Sequence, residues 1–298
     1  MDTQKITPNL WFDSEAEDAA AFYVSVFDDA AIGDVTTYDE ASAEVSGKPE
    51  GSTLTVAFEL EGNQFVALNG GPQFTVNPSI SFIVNCPTSD DVDELWSALS
   101  DEVLMPLDTY PFSDRYGWTE DEYGVSWQLI LREDASERSI VPSLMFVGER
   151  CGRAEEAIEL YTSVFADSTV GDVARYGPDQ PPDEEGTVMY ADFTLAGQLF
   201  AAMDSAHTHD FAFNEAISFS VECTDQAEVD AYWSTLTSDG GAPGQCGWLT
   251  DRFGVSWQVV PAVLPDLLAD GESSERVMEA MLGMGKLDVK ALIAASEG

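Results

Sequence analysis

Positive charge is what this sequence has least of. Twelve Lys and Arg stand against 55 Asp and Glu, a net charge of −43 in 298 residues, and four of the cations are lysines (Lys5, Lys48, Lys286, Lys290). So negative a surface repels phosphodiester backbones and anionic lipid, which excludes nucleic acid and membrane as expected partners. The four cysteines, Cys86, Cys151, Cys223 and Cys246, have no CxxC spacing. Neither a zinc knuckle nor a disulfide framework is therefore encoded, and the thiols read as reduced groups of a cytoplasmic protein. No apolar run approaches about 18 residues, and no basic stretch followed by an apolar one opens the chain, which predicts neither a membrane span nor a secretory leader.

Apolar residues are plentiful. At 44% hydrophobic and 11% aromatic the chain is too apolar for a disordered acidic tail. Its length is about twice the usual ~150 residues of one domain. The acids are dispersed along the chain, which reads as the acidic skin of a halophile's protein, where salt screens self-repulsion. Poor activity at low salt is expected, because unscreened carboxylates would swell the structure, and full stability in dilute buffer would contradict the reading.

The chain repeats itself. YGWTEDEYGVSWQLI (116–130) returns as CGWLTDRFGVSWQVV (246–260), FTVNPSISFIVNC (74–86) as FAFNEAISFSVEC (211–223), and ITPNLWF (6–12) as IVPSLMF (140–146). The order is kept, so the protein is a tandem duplication. Within each copy the hydrophobic period switches between two and 3.6 in a βαβββ order, twice over. In the first unit a strand over Ile6–Phe12 precedes a helix opened by a Ser14/Glu17 capping box, then strands near 33–39, 53–60 and 63–69. The expected fold is α+β: four βαβββ units forming two curved, open-barrel sheets, each copy curving its own eight strands, with helices outside. The expected boundaries are 1–135, 136–262 and a C-terminal helical extension over 263–298, with short helices at Val263–Ala269, Ser274–Leu282 and Lys286–Ala295 acting as a lid.

Residues on which the diverged copies agree are the first candidates for a site: Asn77 and Asn214, Trp118 and Trp248, Gln128 and Gln258. Asp121 and Asp251 also agree, and each precedes an aromatic and a glycine, a turn signal before a last strand. Period two puts Ser256 and Gln258 on one strand face, Val255 and Trp257 on the other. If the glutamines point inward, each is a polar handle in an apolar cavity, the usual composition of a small-molecule pocket. Glu215 is the ionisable group of FNEAISF and a candidate general base. His207 and His209, the only histidines, form a weak metal candidate in HTHD with Asp204 and Asp210 beside them, although paired loop histidines are more often solvated. No Ser-His-Asp or Cys-His arrangement can be built from them for both copies. The glycine-dense segment 240–247 contains a proline and no lysine, so it lacks P-loop mechanics.

LWF with FYVSVF (22–27), ALNGGPQF (67–74), FNEAISF (213–219) and GWLTDRFGVSWQVV (247–260) resemble the PhnB-like branch of the vicinal-oxygen-chelate superfamily, which includes glyoxalase I, extradiol dioxygenases and bleomycin-resistance proteins. The resemblance covers essentially the whole chain. It implies two modules paired as two subunits of a single-module relative would be, with further oligomerisation open. It also implies a divalent metal held by His, Glu or Gln on the inner sheet face, at first-, fourth-, fifth- and eighth-strand positions. These fall near Thr7 and Val141, Ala67 and Ala202, Ser79 and Ala216, and on Gln128 and Gln258. One neutral glutamine per cavity does not hold a divalent ion against water, so no cofactor is expected. The branch commonly carries the name demethylubiquinone methyltransferase, yet the glycine-rich turn for a methyl-donor nucleotide is missing. The leading expectation is a glyoxalase-like protein binding a small organic molecule without the metal. The alternatives are a metal-dependent glyoxalase or dioxygenase-like enzyme using Gln258 with His207, His209 or Glu215, and a sequestering protein of the resistance type.

Overall fold

The structure, a computed structural model, describes residues 4–269 and 273–298. The first unit comprises β1 (Ile6–Phe12), α1 (Ala16–Val26), β2 (Ala30–Thr37), α2 (Glu40–Ser46), β3 (Thr53–Leu60) and β4 (Asn63–Asn69). The second comprises β5 (Ile80–Cys86), α3 (Ser89–Leu99), β6 (Glu102–Tyr110), β7 (Ser113–Glu120) and β8 (Ser126–Leu131). Copy two supplies β9 (Ser139–Val147), α4 (Ala154–Val164), β10 (Thr169–Arg175), β11 (Val188–Leu195) and β12 (Gln198–Ser205). Its second unit has β13 (Ile217–Cys223), α5 (Gln226–Leu236), β14 (Ala242–Pro243), β15 (Trp248–Thr250) and β16 (Ser256–Pro261). Helices α6 (Leu264–Ala269), α7 (Ser274–Leu282) and α8 (Val289–Glu297) follow.

These are four βαβββ units in two curved eight-stranded sheets, with C-terminal helices. Strand assignment differs from one sheet per copy. The first sheet runs β14-β15-β16-β13-β1-β4-β3-β2 and the second β10-β11-β12-β9-β5-β8-β7-β6, so each takes one unit from each copy. Connection length explains the exchange. Residues 132–138 are a short link between β8 and β9, which flank β5 in one sheet, while the loops 70–79 and 206–216 carry the chain between sheets. Asn77 and Asn214 hold those two crossing loops together. Asn77 Nδ2 donates to the Ala212 carbonyl (3.1 Å) and Asn214 Nδ2 to the Thr75 carbonyl (2.8 Å).

The helix-facing sides of both sheets share one apolar core. Tyr23 of α1 packs on Trp127 of β8, Phe82 on Trp127, and Phe65 of β4 on Phe82, with ring centroids 5.3–5.6 Å apart. Tyr161, Trp257, Phe219 and Phe200 repeat this chain in the other half. Cys86 and Cys223 are buried in the same core, where desolvation pushes each thiol up to about 12. Asp121 and Asp251 tie the turns before the last strands. Asp121 accepts from Tyr123 N, Val125 N and Trp127 Nε1, and Asp251 from Phe253 N, Val255 N, Trp257 Nε1 and the Tyr161 hydroxyl.

Helix starts differ from the sequence expectation. Ser14 and Glu17 form no capping box; Ala16 N donates instead to Asn69 Oδ1 at the end of β4 (2.8 Å). Its counterpart Asp204, fully buried at the end of β12, accepts from Gly152 N, Ala154 N and Val188 N. Helix α2 was not expected, although its Asp39/Ser42 capping box is local. Helix α8 starts at Val289, three residues past the expected Lys286, because Asp288 caps it by accepting from Ala291 N (3.0 Å).

The C-terminal helices join the two edges of the first sheet. Cys246 N and Gly247 N donate to the carbonyls of Met284 and Gly285 beside β15, while α7 packs on α2, which follows edge strand β2. Leu264, Val277, Leu287 and Leu292 cluster against Val260 on the face away from the core. No helix among the described residues is long and apolar enough to cross a membrane.

Candidate functional site

Each sheet turns its second face away from helices α1, α3, α4 and α5, and the glutamines lie there. In the second sheet that inner face is filled by its own side chains. Ile83, Tyr116, Ile130, Val141 and Ala201 form a cluster, with Met105, Tyr110, Trp118 and Tyr190 packed against it. Gln128 is buried within it. Its Oε1 accepts from the Tyr116 hydroxyl (2.8 Å) and its Nε2 donates to Ser81 Oγ (2.8 Å), so both ends of the amide are taken by protein. Trp118 Nε1 donates to Ser126 Oγ at 2.7 Å.

The first sheet places smaller or more polar residues at the same positions. Tyr116 becomes Cys246, Ile83 becomes Ser220, Val141 becomes Thr7 and Ile130 becomes Val260. Cys246 is turned to the C-terminal segment, its Sγ 3.6 Å from the Met281 carbonyl. A hollow of about 440 Å³ lies on this face, lined by Thr7, Val66, Ser220 and Val260 together with Ala57, Ile32, Pro261 and Pro265. Gln258 is half-buried and opposite Ser220 in strand register. Its Nε2 donates to Ser218 Oγ (3.1 Å), and among the described residues no hydroxyl replaces that of Tyr116 at its other end. Trp248 leans edge-on to Trp11, centroids 6.2 Å apart, and Ser256 Oγ has no hydrogen-bond partner among the described residues although the residue is 1% exposed. Ser143 Oγ on the filled face is unpartnered too. Trp11 Nε1 donates to the Gly71 carbonyl (2.7 Å), and a side chain on Gly70 would strike its indole at 2.2 Å.

The remaining candidates are dispersed. Asn77 and Asn214 are engaged in the crossing loops, and Glu215 stands part-exposed in the turn before β13. His207 and His209 follow β12 in the second sheet, whereas Gln258 lies in the first. His207 is exposed, with Nε2 3.7 Å from Asp183 Oδ2; His209 Nε2 lies 2.9 Å from Ser205 Oγ, and burial lowers its pKa. Asp204 beside them is engaged as a helix cap.

The pattern of the 3-demethylubiquinone-9 3-methyltransferase family matches residues 4–130 and again 138–260. The chain belongs to this family. A PhnB protein from Bacillus cereus, provisionally assigned to the same activity, is 39% identical over 43% of this chain and all of its own, with a TM-score of 0.40. Glyoxalase I from Zea mays superposes on 89% of this chain and 97% of its own with a TM-score of 0.57 at 11% identity, a likeness of fold. No curated protein matches the chain.

For this family member the glyoxalase-like fold implies a divalent ion on the inner face, and the residues present do not suit one. Ala67, Ala202 and Ala216, expected at metal positions, face the helix-side core. The inner positions are held instead by Val66 and Ser220, beside Thr7 and Gln258, all without charge. Among the described residues no three His, Cys, Asp or Glu are grouped so as to hold a metal. The hollow offers apolar walls and hydrogen-bonding oxygens, which suit an organic ligand.

Proposed function

We propose that this chain binds a small, partly apolar organic molecule in the hollow of the first sheet, without a divalent ion on the inner face, while the second sheet serves as its structural twin. The contrast between the two inner faces carries the reading. One is filled and its glutamine bonded at both ends; the other is hollow, with Thr7, Ser220 and Val260 where the filled face has Val141, Ile83 and Ile130. The glyoxalase-fold likeness supports a small-molecule site of this kind. Methyl transfer is outside the reading, because no strand-to-helix turn among the described residues carries a GxGxxG run.

A thermal-shift screen of small molecules, repeated on Ala57→Phe, tests the proposal. Ala57 lines the hollow, so hits should lose at least tenfold in affinity while circular dichroism shows an unchanged fold. Hits indifferent to the substitution place the ligand elsewhere and overturn the reading. Calorimetric titration with zinc or nickel checks the metal half; stoichiometric heat abolished by Gln258→Leu would contradict it.

A further inference from the structure

We propose that Trp248 is a gate over the hollow of the first sheet. Its indole exchanges between its place here, edge-on to Trp11, and a second place in which Nε1 donates to Ser256 Oγ and the ring turns toward the hollow. This rests on the reading of that hollow as the binding site. The second place is the one its twin occupies. Trp118 Nε1 donates to Ser126 Oγ at 2.7 Å, and the ring packs on the cluster of Ile83, Tyr116, Ile130, Val141 and Ala201. At four of those five positions the first sheet carries Ser220, Val260, Thr7 and Val66, and these four line the hollow.

Strand register leaves the same bond open to Trp248. Trp118 is paired with Gln128 and Glu120 with Ser126, as Trp248 is with Gln258 and Thr250 with Ser256. The bond is nevertheless unmade. Ser256 Oγ is buried with no hydrogen-bond partner among the described residues, while the Trp248 ring centre lies 6.2 Å from that of Trp11 at an interplanar angle of 78°. One substitution between the copies accounts for the difference: the second sheet has Met145 where the first has Trp11. Trp11 is itself held, its Nε1 donating to the Gly71 carbonyl and its ring packed against Phe74 at 5.0 Å. It thus offers Trp248 an edge-to-face ring contact, which Met145 does not. An aromatic pair and an indole–hydroxyl bond contribute comparable amounts, so neither place holds Trp248 exclusively, and rotation about its side-chain torsions converts one into the other. A ligand in the hollow takes the room that the second place needs and selects the first.

Fluorine NMR of the full chain labelled with 5-fluorotryptophan tests the exchange, with Trp248 and Trp118 assigned from their phenylalanine variants. Ser256→Ala removes the acceptor, and Trp11→Met installs the residue of the second sheet. The two should move the Trp248 line in opposite directions and leave the Trp118 line in place, and Trp11→Leu should act as Trp11→Met does. A Trp248 line that both variants leave alone, or move the same way, overturns the exchange. Calorimetry with 1-hexanol, an apolar body with one donating hydroxyl, tests the gate. Trp11→Met should bind hexanol at least fivefold more weakly than the parent, and Ser256→Ala at least as tightly, with circular dichroism showing both folded. If Ala57→Phe abolishes hexanol binding and Trp11→Met leaves it unchanged, the hollow is the site and the gate fails. If hexanol does not bind, or its binding ignores Ala57→Phe, the reading of the hollow fails and the gate with it.

Discussion

Gln128 and Gln258 occupy one sequence position in two copies, yet their surroundings assign them different work. Gln128 joins a phenol and a serine inside a packed face, so Gln128→Leu strands two buried hydroxyls and should cost about 2–3 kcal/mol. Gln258→Leu removes one bond from a half-buried amide and should cost less than about 1 kcal/mol. Denaturant unfolding of the two variants distinguishes them, and equal losses would contradict the assignment. Asp121 gives a pH dependence. Burial pushes its carboxyl up to about 6, against the opposing bonds from Trp127 and two backbone amides, whereas an unfolded aspartate titrates near ~3.9. The native state thus holds the proton more tightly than the unfolded chain. Its contribution to stability is fully present below about pH 4 and is lost as pH rises through about 6. Asp121→Asn should flatten that decline in unfolding free energy measured from pH 4 to 7, and a profile unchanged from the parent would contradict it. Much of this scale was legible in sequence: the two aspartates as turn residues, the glutamines as inward amides. The filling of one face was legible too, in Tyr116 against Cys246 and Ile83 against Ser220. Agreement between the copies does not reveal it; only the positions at which they differ carry that signal.

Helices α1 and α4 start on caps supplied by neighbouring strands, not by their own first turns. Asn69 lies 53 residues from the amide it caps, and Asp204 lies 50 residues from Ala154. No local window contains such a pair, which is why Ser14 and Glu17 were favoured in their place. Asp204 binds two amides at the entry to α4 and one of β11, fully buried. Asp204→Ala should therefore cost about 2 kcal/mol or more, above an ordinary cap, with part of the loss recovered by Asp204→Asn. A loss below 0.5 kcal/mol on denaturant unfolding would refute the cap's role. The same distance in sequence hides the fate of 240–247. The segment opens a hairpin of β14 and β15, which are short, and the backbone amides of Cys246 and Gly247 bond instead to the carbonyls of Met284 and Gly285.

The molecule is a duplication in which each sheet draws one unit from each copy, and here the sequence is silent for a physical reason. Either pairing, within a copy or between copies, buries the same apolar faces; only the short link at 132–138 and the long loops at 70–79 and 206–216 favour the one observed. Residues 1–135 expressed alone lack the partner strands of both sheets and should associate into dimers by light scattering, supplying each other's missing unit. A stable folded monomer would argue against this dependence. Arg138 shows how closely the link is held: it is 8% exposed, with Asp28 and Asp91 within 2.9 Å of its guanidinium. The exchange also lets the two inner faces diverge, since the C-terminal helices join the edges of the first sheet. Diffraction from crystals grown with a saturating small-molecule hit tests the central claim most directly. Ligand density should lie between Ala57 and Val260 within reach of Gln258, with Tyr116 still packed on Gln128. Density seated against Tyr116, or a divalent cation bound by Thr7, Ser220 and Gln258, would contradict the account.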